Sequence, residues 1–246
     1  KASPENNFKI TTEELEKSIT PSTRLLIINS PSNPTGCVYS EEELRSIARI
    51  CVKSNIFVIS DEIYEKIIYD GIRHISIASL GKDIYDLTVT VNGLSKSHAM
   101  TGWRIGYLGG KQDIVDAVSK IQDHSTSNPT SISQKAAQAA LGAHEEFSKD
   151  MCREFQKRRD YIIQRMGLIQ RLSFVRPQGA FYIFCDISRL ALSSLVVAER
   201  LLEEAEVAVI PGEGFGRDDY IRISFATGRE QIEKGMDRIE KWLKKQ

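Results

Sequence analysis

Three short polar stretches each follow an apolar run, and together they hold side chains that could do chemistry. Ser30-Pro31-Ser32-Asn33-Pro34-Thr35-Gly36 comes after Arg24–Asn29, and Ser60-Asp61-Glu62-Ile63-Tyr64 comes after Ile56–Ser60. Asn92-Gly93-Leu94-Ser95-Lys96-Ser97 comes after Leu87–Val91, and Arg104 follows Lys96 by eight residues. Each stretch has an ordinary reading on its own. The first suits a turn, the second a helix cap, and the lysine of the third a solvated surface. Taken as a set they fit those readings poorly. A lysine amine can form a Schiff base once neighbours or burial lower its pKa. A carboxylate can hold the proton on a ring nitrogen, and an arginine can clamp a phosphate with its fork. A phenol and an amide can bond a ring oxygen. This combination suits a phosphorylated aromatic aldehyde cofactor in which the ring acts as an electron sink.

The elements that must position these groups read as alternating strand and helix up to about residue 110. Runs at 24–29, 56–60, 87–91 and 104–108 suit buried strands, the first of them parallel. Thr11–Glu14 and Ser40–Glu43 are capping boxes, and after the second Leu44, Ile47, Ala48 and Cys51 share one helical face. Polar residues at the carboxyl ends of such strands are where an α/β sheet binds ligands. Beyond residue 111 the pattern changes. Ile114, Val118 and Ile121 line one expected helix. Phe147, Met151, Phe155 and Ile162 line a longer one over 143–166. Strands are expected at 173–175, 181–186, 207–210 and 220–225, with helices at 193–205 and 229–244. Thr227–Glu230 reads as the cap of the last helix. The expected division is therefore a first α/β domain over 1–142 and a smaller α+β domain over 143–246.

Composition excludes several classes. The 246 residues balance 33 basic against 33 acidic side chains, so no whole-chain field favours nucleic acid or an anionic membrane. No apolar run approaches the roughly 18 residues of a membrane span, and the first residues lack the apolar core of a signal peptide. The four cysteines, Cys37, Cys51, Cys152 and Cys185, form no C-x-x-C pair and read as small buried or half-buried residues in a reducing cytoplasm. His74, His98, His124 and His144 form no H-E-x-x-H, so surface or packed roles are expected and no metal. Gly212–Gly216 leads into a strand and lacks dinucleotide-binding spacing. Gly93–Ser97 lacks the glycine that precedes a P-loop lysine.

The chain resembles the pyridoxal-phosphate enzymes of fold type I. Within them it is similar to the class I/II aminotransferases, especially the prokaryotic-type aspartate aminotransferases. The stretches that carry the resemblance are Asn33–Gly36, Ser60–Tyr64, Ser95–Tyr107, Pro177–Tyr182, Pro211–Gly216 and Tyr220–Ala226. The resemblance implies part of a large, mostly parallel α/β domain with helices on both faces, plus a smaller C-terminal α+β domain. It implies pyridoxal 5'-phosphate as cofactor and amino-group transfer from an aspartate-like or aromatic amino acid to a 2-oxo acid. Lys96 matches the Schiff-base lysine and proton shuttle, and Asp61 matches the partner of the ring nitrogen. Tyr64 and Asn33 match the ring-oxygen partners, and Asn33 also touches the substrate carboxylate. Arg104 matches the phosphate clamp, with Ser95 as a helper. Many relatives carry that hydroxyl three residues before the lysine, where this chain has Gly93. Arg222 matches the arginine that grips the substrate α-carboxylate.

His124–Pro129 resembles a loop that reaches a neighbouring subunit's site, so a homodimer is expected. The resemblance also implies an earlier phosphate-binding turn, a stacking aromatic and a substrate lid ahead of Lys1, without which 1–246 alone would be a poor enzyme. The alternatives are another fold type I activity, such as a carbon–sulfur lyase or an aminocyclopropane-carboxylate synthase-like enzyme, or the cofactor-sensing domain of a transcription regulator.

Overall fold

The computed structural model describes residues 2–143 and 146–245. The chain falls into two compact units. One comprises Ile10–Pro31 and Val38–Asp150, the other Lys1–Lys9, Ser32–Cys37 and Met151–Gln246.

The first unit opens with α1 (Thr12–Ser18), β1 (Leu25–Asn29), α2 (Glu41–Ser54) and β2 (Phe57–Asp61). Then come α3 (Lys82–Leu87), β3 (Thr88–Gly93), α4 (Leu94–Ser97), β4 (Gly106–Gly109), α5 (Gln112–Ser125) and α6 (Ser131–Gly142). Both expected capping boxes form: Thr11 and Glu14 satisfy each other's backbone N–H, as do Ser40 and Glu43. The face of α2 read from its 3.6-residue period is buried, with Leu44, Ile47, Ala48 and Cys51 joining Ile28, Val58, Ile77 and Ile84 in one core. Burying each large aliphatic side chain there stabilises by about 1.5–3 kcal/mol.

β1, β2 and β3 run parallel in that spatial order, aligning Asn29 with Asp61 and Asp61 with Val91. The strand expected at 104–108 starts later, at Gly106, and runs antiparallel to β3, setting Asn92 opposite Tyr107 and Gly93 opposite Gly106. Arg104 lies before it, in the left-handed region at φ 51°. Two expectations about apolar faces are corrected. Leu25 and Ile27 are exposed while Ile28 is buried, so β1 alternates at the sheet edge and is not buried on both faces. No residue of α5 is buried, and Ile121 is 70% exposed. Its apolar stripe has the helical period but no covering layer among the described residues.

Within the second unit, β5 (Ser173–Phe174), β6 (Tyr182–Asp186), β8 (Tyr220–Ser224) and β7 (Ile210–Pro211) form an antiparallel sheet in that order. The strand expected at 207–210 is only the two residues of β7. The long helix α7 (Glu146–Met166), from Met151 onward, with α8 (Ser194–Ala205) and α9 (Arg229–Leu243), supplies the helical layer. The expected start of α7 near residue 143 and the expectation for His144 touch or lie outside the described residues. Ile162, Met166, Ile183, Val197, Leu201, Ile232, Ile239 and Leu243 are buried. Phe8 sets its ring edge against Phe184 and Tyr220, which gathers the first residues into this unit. The cap expected over Thr227–Glu230 does not form, since the N-cap is Gly228 and no side chain bonds there. The buried stripe of α9 holds its register without a cap. No helix among the described residues is long and apolar enough to cross a membrane.

Candidate active site

Consider the α/β unit first. Asp61 ends β2, and its Oδ1 accepts a hydrogen bond from Ile63 N at 3.1 Å. Asp61 forms no ion pair among the described residues, so the carboxylate keeps acceptor capacity for a cation or a donor. The peptide carbonyl of Asp61 is fixed on its other side by Ser30 N at 3.2 Å and Asn29 Nδ2 at 3.1 Å. Tyr64 is buried at 3% exposure, and the Lys96 Nζ stands 5.9 Å from its ring centroid. The structure thus brings Lys96 and Tyr64 together, on the turns that follow β3 and β2.

Lys96 lies on α4, which begins directly where β3 ends. The step from strand to helix is crowded. A Cβ on Gly93 would meet Gly106 Cα and Ile105 O at 3.1 Å each. That close approach of two backbones leaves little room for a side chain at Gly93. It also holds the 104–106 segment against the root of α4. Thr101 donates to Ser95 O at 3.1 Å, and Arg104 Nη1 donates to Thr101 O at 2.9 Å. Arg104 is therefore linked to the backbone of Ser95 through Thr101. It pairs with no carboxylate among the described residues, and its left-handed backbone costs about 1 kcal/mol. The Ser95 hydroxyl makes no hydrogen bond among the described residues, and nothing joins it directly to Arg104.

The second unit holds the other two expected residues. Arg222, in the middle of β8, donates from Nη1 to Asn33 Oδ1 at 2.7 Å, across 189 residues of sequence. Its guanidinium lies 4.4 Å from the Tyr182 ring centroid and 5.3 Å from that of Phe215. The Arg222 Nε is buried and has no hydrogen-bond partner, and no carboxylate pairs with the group among the described residues. The chemistry of a half-buried guanidinium gripped by rings and one amide, with an unsatisfied N–H, suits an anion with two acceptor oxygens.

What carries Asn33 to β8 was not apparent in the sequence. Gly36 O accepts from both Gln178 N and Gly179 N at 2.8 Å. A Cβ on Gly36, at φ +69°, would meet Pro177 Cβ at 2.5 Å and Gly179 O at 2.7 Å. The two stretches, 33–36 and 177–179, therefore dock on one another, and only glycine fits the seam. The fully buried Arg159 braces it by donating from Nη1 to Pro177 O at 3.1 Å. Sequence reasoning also missed Tyr182 and Phe215 as ring partners of Arg222, and the buried cluster around Glu62. Tyr182, Phe215 and Glu62 lie inside the stretches already singled out, whereas His74 and Ser76 carry no such signal. The four cysteines are unbridged, and burial pushes the Cys51 thiol up to about 11.

A family model described as "Aminotransferase class I and II" matches residues 1–239. The chain is 46% identical over 248 residues to an aspartate aminotransferase of Bacillus sp. (strain YM-2), covering 99% of this chain and 63% of that protein. It is 42% identical over 244 residues to aromatic-amino-acid aminotransferase 2 of Thermococcus litoralis, covering 98% of this chain and 62% of that protein. Among solved structures it resembles the aromatic aminotransferase from Pyrococcus horikoshii OT3, with a TM-score of 0.95 and 41% identity over 99% of this chain and 66% of that one. The chain has the fold of the fold type I transferases and spans about 62–63% of the length of these curated relatives.

Proposed function

The chain belongs to the family of class I and II aminotransferases, and on that premise we propose that it moves an amino group from an amino acid to a 2-oxo acid. The observation that carries the reading is Arg222, with a buried unsatisfied Nε and no carboxylate of its own. Both substrates of such a transfer carry a carboxylate beside the reacting carbon, and this guanidinium would grip it, with Asn33 steering the fork. The named activities of relatives, aspartate and aromatic aminotransferase, give the substrate classes to test first.

The proposed cofactor is pyridoxal 5'-phosphate, and the donor set fits it. Lys96 would hold its carbonyl carbon, Asp61 its ring nitrogen and Tyr64 its ring oxygen. Arg104, without a carboxylate partner, and the unbonded Ser95 hydroxyl would hold its phosphate. When bound, the cofactor supplies the electron-withdrawing ring that acidifies the substrate α-carbon. The protein's own part is positional and protonic. The Lys96 amine takes and returns the α-proton, as a general base and then a general acid. The Asp61 carboxylate supplies the negative charge that keeps the ring nitrogen protonated. The Tyr64 phenol, buried near the Lys96 amine, would donate its hydrogen bond to the ring oxygen.

We further read residues 1–142 as part of the large domain and 143–246 as the small domain of a cytoplasmic homodimer. The exposed 124–129 loop, with Ile121 at 70% and Ile132 at 73% exposure on the helices beside it, supports a subunit contact there. Four unbridged cysteines support a reducing compartment. The test is amino transfer to 2-oxoglutarate from aspartate and from aromatic amino acids. Transfer from either supports the reading. Elimination without transfer would replace it with a lyase, and neither activity would remove it.

A further inference from the structure

The side chain next to Asp61 points the other way and is spent on something else. Residues alternate across a strand, so Ser60 and Glu62 share one face at the end of β2 and Asp61 takes the opposite one. Glu62 is 3% exposed. Its Oε1 accepts from Ser60 Oγ at 2.8 Å and from Ser76 Oγ at 2.7 Å, and its Oε2 lies 2.7 Å from His74 Nε2. Its backbone N donates to Val91 O at 2.9 Å, which continues the ladder to β3 one residue past Asp61. One carboxylate therefore ties the 74–76 segment to the end of β2. The other ring nitrogen of His74 is buried and unpartnered, so the ring's one hydrogen bond goes to Glu62. Glu65 also comes within 4.8 Å of Glu62 and His74, which adds a second negative group to the cluster.

A buried carboxylate with three donors is an expensive way to fill space, since an apolar side chain of similar size would avoid the desolvation. What it offers instead is direction. With Ser60 and Glu62 fixed on one face, the peptide of Asp61 cannot rotate. Its carboxylate is then presented on the opposite face, held among the described residues only by Ile63 N. We propose that Glu62, gripped by Ser60, Ser76 and His74, is a positioning residue that fixes the turn on which Asp61 acts. The proposal rests on the aminotransferase reading of Asp61. Glu62 touches neither substrate nor cofactor in this account and acts only through its neighbour.

The test is a double-mutant cycle in the holoenzyme with Glu62→Gln, Asp61→Ala and the pair, read by kcat, by KM for the amino acid, and by the affinity of the cofactor-free protein for pyridoxal phosphate. Glu62→Gln keeps the shape but loses the charge that gathers three donors. It is expected to lower kcat about 10–100-fold, to leave KM within about twofold and to weaken cofactor affinity about tenfold. In the Asp61→Ala background the same change should alter kcat less than about twofold, because the residue it acts through is gone. An equal fold-loss in both backgrounds would mark Glu62 as a fold stabiliser only and overturn the proposal. So would full turnover by Glu62→Gln. Full turnover by Asp61→Ala would overturn the parent reading and this proposal with it, and that result is distinct from the other two. Should Glu62→Gln not fold, Ser76→Ala and His74→Gln remove single donors and run through the same cycle with the same two outcomes.

Discussion

The two groups of proposed site residues are built in opposite ways. Asp61, Tyr64, Ser95, Lys96 and Arg104 come from neighbouring turns of one sheet and are held largely by backbone, with the side chain of Glu62 bracing the turn of Asp61. Glycine lets β3 and β4 touch, Thr101 bridges Ser95 and Arg104, and three peptide or amide donors surround the end of β2. Asn33 and Arg222 are 189 residues apart and are held largely by side chains, one amide bond and two rings, beside a backbone seam at Gly36. The group that would hold the cofactor is thus fixed by local chain geometry. The group that would hold the substrate joins stretches far apart in sequence.

Substitutions should separate the two groups by the kinetic constant they move. Asp61→Ala removes a charge matched to the reacting ring, and a loss of about a hundredfold or more in kcat is expected with KM changed only a few-fold. Arg222→Lys keeps a charge but loses the fork and the ring stacking. KM for the amino acid should rise about 10–100-fold, with a smaller change in kcat. Single-turnover kinetics on both variants is the check. Equal changes in both constants for both variants would erase the distinction.

The seam offers a sharper probe of the side-chain-held group. Gly36→Ala would place a Cβ against Pro177 Cβ at 2.5 Å and Gly179 O at 2.7 Å, in a left-handed backbone. A loss of about 2 kcal/mol or more is expected in urea unfolding. Gly71→Ala, also left-handed at φ +72° but in open space, should cost only about 1 kcal/mol. If the two cost the same, the seam is looser than described.

The smallest effect concerns acid. Burial raises the Glu62 pKa, but bonds from His74 and Ser76, the attraction of the His74 charge and the Ser60 bond outweigh it. The group ends below its ordinary 4.5. A depressed folded-state pKa means that its stabilisation is present above about pH 4.5 and is lost as pH falls through the folded value. Thermal midpoints measured downward from about pH 5.5 should fall less steeply for Glu62→Gln than for the unaltered protein. An unchanged slope would mean that the carboxylate gains nothing from its three donors.

Much of the backbone-held group was legible before any coordinates. Its residues sit at the ends of apolar runs, and capping boxes at Thr11 and Ser40 mark the helices between them. The 3.6-residue period of α2 named a buried face that the core bears out, because one helix packing on one sheet is a local event. The failures have physical causes. The apolar stripe of α5 and the outer face of β1 show the right period, yet periodicity says nothing about whether a covering layer is there. The start of β4 was misplaced because Arg104 itself takes the left-handed turn that the pattern read as strand. The docking of Gly36 on Pro177 and of Asn33 on Arg222 is non-local. Only the shared resemblance grouped those residues, and no spacing in the chain encodes it. The Glu62 cluster was hidden because its serines and histidine look like ordinary loop residues.

The account stands most directly on one lysine. Borohydride reduction of the holoenzyme, followed by proteolysis and peptide mapping, should find the pyridoxyl group on Lys96, on the helix that begins where β3 ends and beside the buried Tyr64 ring. Recovery of the group on any other lysine, or on none, would contradict the assignment and the roles argued for Asp61, Tyr64 and Arg104 around it.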